Sequence, residues 1–221
     1  MCIIHPMNLT VIIPVYNEAK TIAEIVRRVK AVGVATEILI VDDGSTDGTR
    51  DILKTFTGDP LIRVVLHERN QGKGAAVRTG ILQATGDFCI VQDADLEYDP
   101  RDYPALIEPI EEGNADVVFG SRFLGAARRP ILFWNMIANN ILTDMETGYK
   151  LFRRDIALGM KLRAHGFEFE PEFTAKLLKR HVRIYEVPIR FNPREYSEGK
   201  KIKMKDAFVA VWSLLKYRFM D

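Results

Sequence analysis

The sequence has few cysteines, almost no net charge and no long apolar run. Each of these features argues against a class of protein. The 221 residues include only two cysteines, Cys2 and Cys89, so we expect reduced thiols, as in the cytosol, and no disulfide scaffold. The 31 basic and 30 acidic residues give a net charge of +1, which argues against a nucleic acid partner. The apolar stretch at residues 207–215 is too short to span a bilayer. The first residues lack the features of a secretory signal.

The remaining composition is typical of a folded globular protein, with 47% hydrophobic and 28% charged residues. These values exclude intrinsic disorder and a collagen-like chain. The four histidines are scattered without the spacing of a zinc site. No repeat or linker divides the sequence, so we expect residues 1–221 to form a single domain.

Short apolar runs alternate with helical patterns over the first 120 residues. This alternation predicts an α/β fold with a mostly parallel sheet flanked by helices on both faces. The predicted strands are 9–15, 37–41, 62–67, 88–92 and 115–120, and the predicted helices are 19–32, 45–56, 74–84 and 104–112. In the last third, we predict helices at 151–160 and 171–179, a strand at 182–190 and a C-terminal amphipathic helix at 206–219.

Acidic residues follow three of the five predicted strands. In a parallel sheet the carboxyl ends of the strands meet at one edge, and ligands bind there. Carboxylates gathered at one edge repel each other, and a divalent cation such as Mg²⁺ or Mn²⁺ relieves that cost. The acidic residues at these strand ends are Glu18, Asp42, Asp43, Asp93, Asp95 and Glu97.

The run Asp93-Ala94-Asp95 carries the strongest indication of a metal site. In an extended segment, alternate side chains point to the same side, so both carboxylates can reach one cation, with Glu97 as a further ligand. Mg²⁺ binds through one or two carboxylates plus substrate phosphates, so such a site implies a phosphorylated ligand. The alternative is an Asp-rich turn, but the neighbouring acidic strand ends favour the metal site.

Two glycine-containing loops have structural alternatives. Asp42-Asp43-Gly44-Ser45 is compatible with a helix N-cap, although two adjacent carboxylates exceed what a cap needs. Gln71-Gly72-Lys73-Gly74 lacks the spacing of a Walker phosphate loop. We therefore interpret it as a turn close to a nucleotide, with Lys73 as a binding residue.

Taken together, the motifs resemble family 2 glycosyltransferases with the GT-A fold. The resemblance covers roughly residues 9–219, and its later motifs are similar to the branch of dolichol-phosphate mannose synthases and polyprenol-phosphate glycosyltransferases. The motifs are Pro14-Val15-Tyr16-Asn17-Glu18, Val41-Asp42-Asp43-Gly44-Ser45, Asn70-Gln71-Gly72-Lys73-Gly74, Asp93-Ala94-Asp95, Gly120-Ser121-Arg122-Phe123, the segment 143–150 (TDMETGYK) and the segment 198–202 (EGKKI).

The resemblance implies a role for each matching position. Asp93 would lie near the ribose and donor sugar, while Asp95 and Glu97 would be the ligands of Mg²⁺ or Mn²⁺. Residues 1–123 would bind the nucleotide sugar, and residues 124–221 would bind the acceptor and carry a membrane-surface helix. The residues implied to hold the nucleotide base and ribose are Pro14, Tyr16, Glu18 and Asp43. Those implied to face phosphates are Arg122, Arg194 and Lys200.

The nature of the acceptor decides whether the enzyme needs a base. A hydroxyl acceptor needs one, and Asp144 is the candidate. A lipid monophosphate is already largely dianionic at neutral pH and needs cations to position it. Residues 190–218 contain eight basic and three acidic residues, a local charge of +5, which favours an anionic acceptor or an anionic membrane surface. The apolar face of the final helix fits a membrane surface or core packing equally well.

The leading hypothesis is a metal-dependent, inverting glycosyltransferase. It would move a hexose, mannose or glucose, from a GDP- or UDP-sugar to a polyprenyl (dolichyl-type) phosphate, as a peripheral protein at the cytoplasmic membrane face. One alternative is a soluble transferase that glycosylates a hydroxyl. The others are a nucleotidyltransferase and a nucleotide-binding, membrane-associated protein without turnover.

Overall fold

The structure is a computed structural model, and it describes residues 7–124 and 142–194 together with Trp212, Lys216 and Tyr217. Its seven strands form one sheet in the order β3-β2-β1-β4-β6-β5-β7. The strands are β1 (Leu9–Val15), β2 (Glu37–Asp42), β3 (Ile62–Leu66), β4 (Phe88–Val91), β5 (Val117–Ser121), β6 (Lys150–Arg153) and β7 (Ile184–Pro188). The helices are α1 (Ile22–Val32), α2 (Thr49–Lys54), α3 (Lys73–Gln83), α4 (Tyr103–Glu111), α5 (Arg154–Leu158) and α6 (Phe169–Lys179).

The sheet is mostly parallel, which confirms the predicted fold class. Strand β1 pairs in parallel with β2 and β4, β2 pairs in parallel with β3, and β5 pairs in parallel with β7. Strand β6 lies between β4 and β5 and is antiparallel to both. The central strands read as continuous apolar runs because both of their faces are covered.

Two apolar clusters fill the spaces on the two faces of the sheet. On one face α1 buries Ile22, Ile25 and Val29 against β1 and β2. On the other face α3 and α6 bury Val77 and Phe173 against the sheet. Each cluster holds about twenty buried residues, so the sheet is a rigid platform for the loops at its carboxyl edge.

The prediction of a helix over residues 151–160 is wrong at its start. Residues Lys150–Arg153 form β6, and the helix α5 covers only Arg154–Leu158. Leu151 and Phe152 point to opposite faces of the sheet, and both are fully buried. A four-residue run has too few positions for its period to distinguish a buried strand from a helical turn.

Helix α2 is shorter than the predicted range 45–56. Polar side chains organise residues 43–48 as a loop instead: Asp42, the last residue of β2, accepts a hydrogen bond from the Ser45 N–H, and Asp47 accepts one from the Thr49 N–H. Gly48, with φ of 96°, is in the left-handed region immediately before the helix. This loop therefore stays at the sheet edge, where it is available to a ligand.

The predicted C-terminal helix at 206–219 lies outside the described residues, apart from Trp212, Lys216 and Tyr217, and the basic segment before it is described only as far as Arg194. Trp212 is 66% exposed, whereas Tyr217 is buried beside Met145 and Ala175. The ammonium of Lys176 lies 4.9 Å from the centre of the Tyr217 ring. Tyr217 therefore contacts helix α6. No helix in the described part of the chain is long and apolar enough to cross a membrane.

Candidate active site

The predicted site residues with described positions lie at or beyond the carboxyl ends of β1, β2, β4 and β5, or in loops that reach the same edge. Pro14 is the last residue but one of β1 and Tyr16 follows the strand, while Asp43 follows β2 and Asp93 follows β4. Hydrogen bonds join the loop after β1 to the segment after β2: the Asn17 N–H donates to Ser45 Oγ at 2.9 Å, and the Glu18 N–H donates to Thr49 Oγ1 at 3.0 Å. Lys200 lies outside the described residues.

The first cluster of charged residues surrounds Arg194. Its guanidinium donates to both Glu18 oxygens, at 3.3 and 2.9 Å, and to the Asp95 carbonyl at 2.8 Å. The Arg194 backbone N–H donates to Glu97 Oε1 at 3.0 Å. One arginine thus brings together Glu18, Asp95 and Glu97 from two different strand ends. This is the proximity that a shared cation site at the sheet edge requires.

Asp95 is in an unfavourable electrostatic environment. Burial, together with the negative charges of Asp93 and Glu97, raises the pKa of Asp95 to about 7, although the Glu97 N–H and Arg194 act in the opposite direction. The Glu97 N–H donates to Asp95 Oδ1 at 3.1 Å, so the two residues share one turn. A divalent cation beside this carboxyl would favour its ionised form and so oppose the effects of burial and repulsion on its pKa.

Two carboxylates are the number that Mg²⁺ commonly takes from a protein when phosphate oxygens and water complete its coordination. Within residues 7–124 and 142–194, no group of three or more His, Cys, Asp or Glu side chains is arranged to hold a metal by itself. That Asp95 and Glu97 bind a cation together with a diphosphate ligand stays a prediction.

The second cluster surrounds the buried ammonium of Lys73. Lys73 Nζ lies 2.9 Å from Asp93 Oδ1 and 3.0 Å from Glu170 Oε1, and Glu170 is on helix α6. These two carboxylates raise the pKa of Lys73 and outweigh its burial, so the lysine stays charged. The sequence indicated Lys73 and Asp93 but not Glu170, which lies about 100 residues further along the chain.

The turn that carries Lys73 is held by Asp43. The Asp43 carboxylate accepts hydrogen bonds from the N–H groups of Gln71 and Gly72, at 2.7 to 3.1 Å. Its Oδ1 also lies 2.7 Å from Nδ1 of the buried His67. Gly72 has a φ of 96°, and a Cβ there would lie 2.3 Å from the His165 carbonyl oxygen. Asp43 therefore positions the Lys73 turn; a direct contact with the nucleotide stays a prediction.

The third cluster pairs Arg122 with Asp144. Arg122 Nε and Nη2 each donate to an Asp144 carboxylate oxygen at 2.7 Å, and the Arg122 backbone N–H donates to the same carboxylate at 3.0 Å. The guanidinium carbon lies 5.5 and 5.2 Å from the ring centres of Phe123 and Phe191. Asp144 is only 1% exposed. The pair thus presents an oriented arginine rather than a free carboxylate.

Gly148 allows the segment after Asp144 to approach Asp93. A Cβ on Gly148 would lie 2.4 Å from Asp93 Oδ2, so a side chain at this position would require the Asp93 carboxylate to move. The Gly148 N–H donates to the Tyr98 hydroxyl at 3.1 Å, and Tyr98 stacks on Tyr149. Residues 143–149 therefore contact both Asp93 and Arg122, and they connect the second and third clusters.

The mostly parallel sheet, with helices on both faces and charged clusters at its carboxyl edge, is an α/β fold of the GT-A type. The chain matches the family described as Glycosyl transferase family 2 over residues 10–162, and it belongs to this family. The resemblance of its motifs to this family is thereby confirmed.

Curated relatives with similar sequences have names that refer to prenyl phosphates. The chain is 31% identical to the undecaprenyl-phosphate mannosyltransferase of Micrococcus luteus over 88% of its own length and 87% of that protein. It is 29% identical to the dolichol-phosphate mannosyltransferase of Pyrococcus furiosus over 91% of its length, and 30% identical to the dodecaprenyl-phosphate galacturonate synthase of Rhizobium johnstonii over 89%. It spans only 61% and 62% of those two proteins.

Among solved structures, the fold is similar to glucosyl-3-phosphoglycerate synthase from Mycobacterium tuberculosis. The TM-score is 0.76 at 19% identity, over 97% of this chain and 80% of the other. That crystal contains Mn²⁺, uridine diphosphate and phosphoglyceric acid, and another crystal of the same enzyme contains Mg²⁺ and uridine diphosphate. The likeness confirms the fold.

Proposed function

We propose that the protein transfers a hexose from a GDP- or UDP-sugar to a polyprenyl phosphate. The observation that carries this proposal is that Asp144, the candidate base for a hydroxyl acceptor, is already paired with Arg122. Both of its oxygens accept hydrogen bonds from Arg122, and the residue is almost fully buried. A phosphate acceptor needs no base, because it is largely ionised at neutral pH, but it does need an oriented cation such as Arg122.

The donor half of the reaction is assigned to the first two clusters. Arg194 lies between Glu18 and the Asp95–Glu97 turn, which suits it to the diphosphate of the donor. Lys73 and Asp93 form an ion pair next to Gly148, and we place the donor sugar on this side of the site. The residues proposed to hold the nucleotide base and ribose are Pro14, Tyr16, Glu18 and Asp43.

We assign the metal-binding role to Asp95 and Glu97. When bound, Mg²⁺ or Mn²⁺ would neutralise the charge that develops on the departing diphosphate. Asp93 already forms an ion pair with Lys73, whereas Asp95 is buried beside the negative charges of Asp93 and Glu97, which a bound cation would offset. Crystals of the structurally similar glucosyl-3-phosphoglycerate synthase contain Mn²⁺ or Mg²⁺, which supports this choice of ions.

The chemical step forms one bond and breaks one. An oxygen of the acceptor phosphate attacks the anomeric carbon, the bond from that carbon to the donor diphosphate breaks, and the nucleoside diphosphate leaves with the electron pair. Inversion follows from attack opposite the leaving group. Arg122 holds the acceptor phosphate in line, and fixing two reactants in this way supplies a large part of the rate enhancement.

We also propose that the protein works at the surface of an anionic membrane, on the cytoplasmic face. The sequence of residues 190–218 carries a charge of +5, and Trp212 within it is 66% exposed. Basic residues close to an anionic membrane contribute about 1 kcal/mol each. Exposed tryptophan is typical of the boundary between lipid and water. A prenyl phosphate acceptor would be reached from this surface.

The experiment compares two acceptors that differ only in the phosphate. Purified protein is incubated with Mn²⁺, labelled GDP-mannose or UDP-glucose, and either undecaprenyl phosphate or undecaprenol in detergent. We expect label in the lipid fraction with the phosphate alone, and none when EDTA replaces Mn²⁺. Labelling of undecaprenol, or no lipid product with either donor, would contradict the proposal.

A further inference from the structure

Glu186 holds the beginning of the segment that carries Asp144. It lies on β7, opposite Phe119 of β5, and is half-buried. Its carboxylate accepts hydrogen bonds from the Thr143 N–H at 2.8 and 2.9 Å and from the Asp144 N–H at 3.0 Å. Two consecutive backbone N–H groups are thereby satisfied by one side chain, which fixes the direction in which the Asp144 side chain leaves the backbone.

The position of Asp144 in turn sets the orientation of Arg122. Asp144 accepts three hydrogen bonds from Arg122, one from its backbone and two from its guanidinium. The two guanidinium bonds use Nε and Nη2, so Nη1 is the nitrogen without a hydrogen bond to the described residues. With Phe123 and Phe191 near the guanidinium, the group has little freedom to turn. A chain of direct contacts therefore runs from Glu186 through Asp144 to Arg122.

The next residues of the segment are held by the cation Lys150. The Lys150 ammonium donates to the Met145 carbonyl at 3.0 Å and to the Thr147 carbonyl. Ser121 Oγ lies 2.6 Å from Thr143 Oγ1. Lys150 therefore binds carbonyl groups of residues 145 and 147, whereas Glu186 binds N–H groups of residues 143 and 144. The charged side chain that binds the backbone of Asp144 itself is therefore that of Glu186.

We propose that Glu186 is a positioning residue for Arg122 and hence for the acceptor phosphate. The proposal rests on the proposed function, in which Arg122 binds that phosphate. Glu186 acts through its hydrogen bonds to Thr143 and Asp144, which hold Asp144 where it fixes the orientation of the Arg122 guanidinium. Because a misplacement of about 1 Å can reduce turnover by about 10²-fold, loss of this anchor has a measurable effect.

Two substitutions of Glu186 separate its hydrogen bonds from its charge. Glu186→Ala removes the acceptor, and we expect kcat/KM for undecaprenyl phosphate to fall about 10- to 100-fold, with KM for the donor unchanged. Glu186→Gln keeps an oxygen at the position that accepts both N–H groups, so we expect it to retain more activity than Glu186→Ala. The matched control is Asp116→Asn. Asp116 accepts a hydrogen bond from the Arg183 N–H at the far end of the same β5–β7 pair, and its substitution should leave both kinetic constants unchanged.

A double-mutant cycle tests the route of the effect. If Glu186 acts through Arg122, Glu186→Ala should cause no further loss of kcat/KM in an Arg122→Ala background. An equal fold-loss in both backgrounds would show general damage to the fold and would overturn the proposal. So would an unchanged kcat/KM in the single variant.

Binding of farnesyl phosphate without donor separates this proposal from the proposed function. Calorimetry should show weaker binding for Arg122→Ala and Glu186→Ala and wild-type binding for Asp116→Asn. If the wild type binds farnesyl phosphate in this pattern but transfers no sugar, the proposed function fails and the role of Glu186 stands. A crystal structure of Glu186→Ala with Arg122 unmoved on Asp144 would overturn the role of Glu186 whether or not sugar is transferred.

Discussion

Replacing Asp144 with asparagine distinguishes an orienting carboxylate from a catalytic base. Asparagine keeps one oxygen acceptor for Arg122 but loses the second one and the negative charge. Hydrogen bonds to charged groups contribute about 1.5–3 kcal/mol each, and Asp144 is 1% exposed. We therefore expect the variant to fold and to lose about 2–3 kcal/mol of unfolding free energy, measured by urea denaturation.

The kinetic result separates the two roles more sharply. With an orienting role, we expect Asp144→Asn to raise KM for undecaprenyl phosphate and to lower kcat/KM by about 10- to 100-fold. A general base contributes about 10²–10⁴-fold to the rate, and most of that would be lost from kcat. Donor binding, measured by calorimetry with Mn²⁺, should match the wild type in either case.

The pH profile provides the refuting observation. The second ionisation of a phosphate monoester lies near pH 6, so kcat/KM for the acceptor should fall below that pH in the wild type. In Asp144→Asn the remaining activity should show the same fall, because the acceptor rather than the enzyme titrates. If the acid limb disappears in the variant, Asp144 is the titrating group, and the reasoning that assigns it to Arg122 is refuted.

Two further predictions concern residues 148 and 150. Gly148→Ala should reduce turnover by about 10²-fold while leaving the protein folded, since the new Cβ would lie 2.4 Å from Asp93 Oδ2 and must displace that carboxylate. Burial, with smaller repulsion from Lys73 and Arg122, lowers the pKa of Lys150 to about 8, despite attraction from Glu170 and Asp144. The cost of burying the charge is fully present below pH 8 and is relieved between pH 8 and 10.5, where the folded chain releases the proton first. The unfolding free energy of the wild type, measured relative to that of Lys150→Met, should therefore rise by up to about 3 kcal/mol from pH 8 to pH 10.5.

Each of these predictions has a control and a contradicting outcome. Gly159→Ala is the matched glycine substitution, because its Cβ would lie at an ordinary 3.5 Å from the Asp155 carbonyl oxygen. Wild-type turnover in Gly148→Ala would show that Asp93 need not stay where it is. For Lys150, a stability difference that does not change between pH 8 and 10 would show that the lysine keeps its ordinary pKa in the folded protein.

Continuous apolar strands made most of the sheet predictable from the sequence. The predicted strands 9–15 and 88–92 match β1 and β4 to within a residue, because turn residues bound each run. Strand β6 was not predicted, since four residues inserted antiparallel between β4 and β5 carry no distinctive period. The order of the strands depends on long-range pairing, which local patterns do not encode.

The site was predictable where it follows a strand and not where it depends on a distant partner. Asp93, Asp95 and Arg122 each follow an apolar run, and the topology of a parallel sheet is enough to bring them to one edge. Glu170 and Glu186 come from α6 and β7, and no local pattern in the sequence links them to Lys73 or Asp144. Asp43 shows the complementary limit: its position was predicted, but its bonds to residues 71 and 72 were not.

The most direct test of this account is the dependence of nucleotide binding on a cation held by Asp95 and Glu97. Calorimetry would measure the affinity for GDP and UDP with Mn²⁺ and with EDTA. The proteins would be the wild type, the double variant Asp95→Asn/Glu97→Gln, and the control Asp155→Asn at an exposed position of helix α5. We expect tight binding of one nucleotide only with Mn²⁺, its loss in the double variant and its retention in the control. Equal affinity with EDTA, or undiminished Mn²⁺-dependent binding in the double variant, would contradict the account.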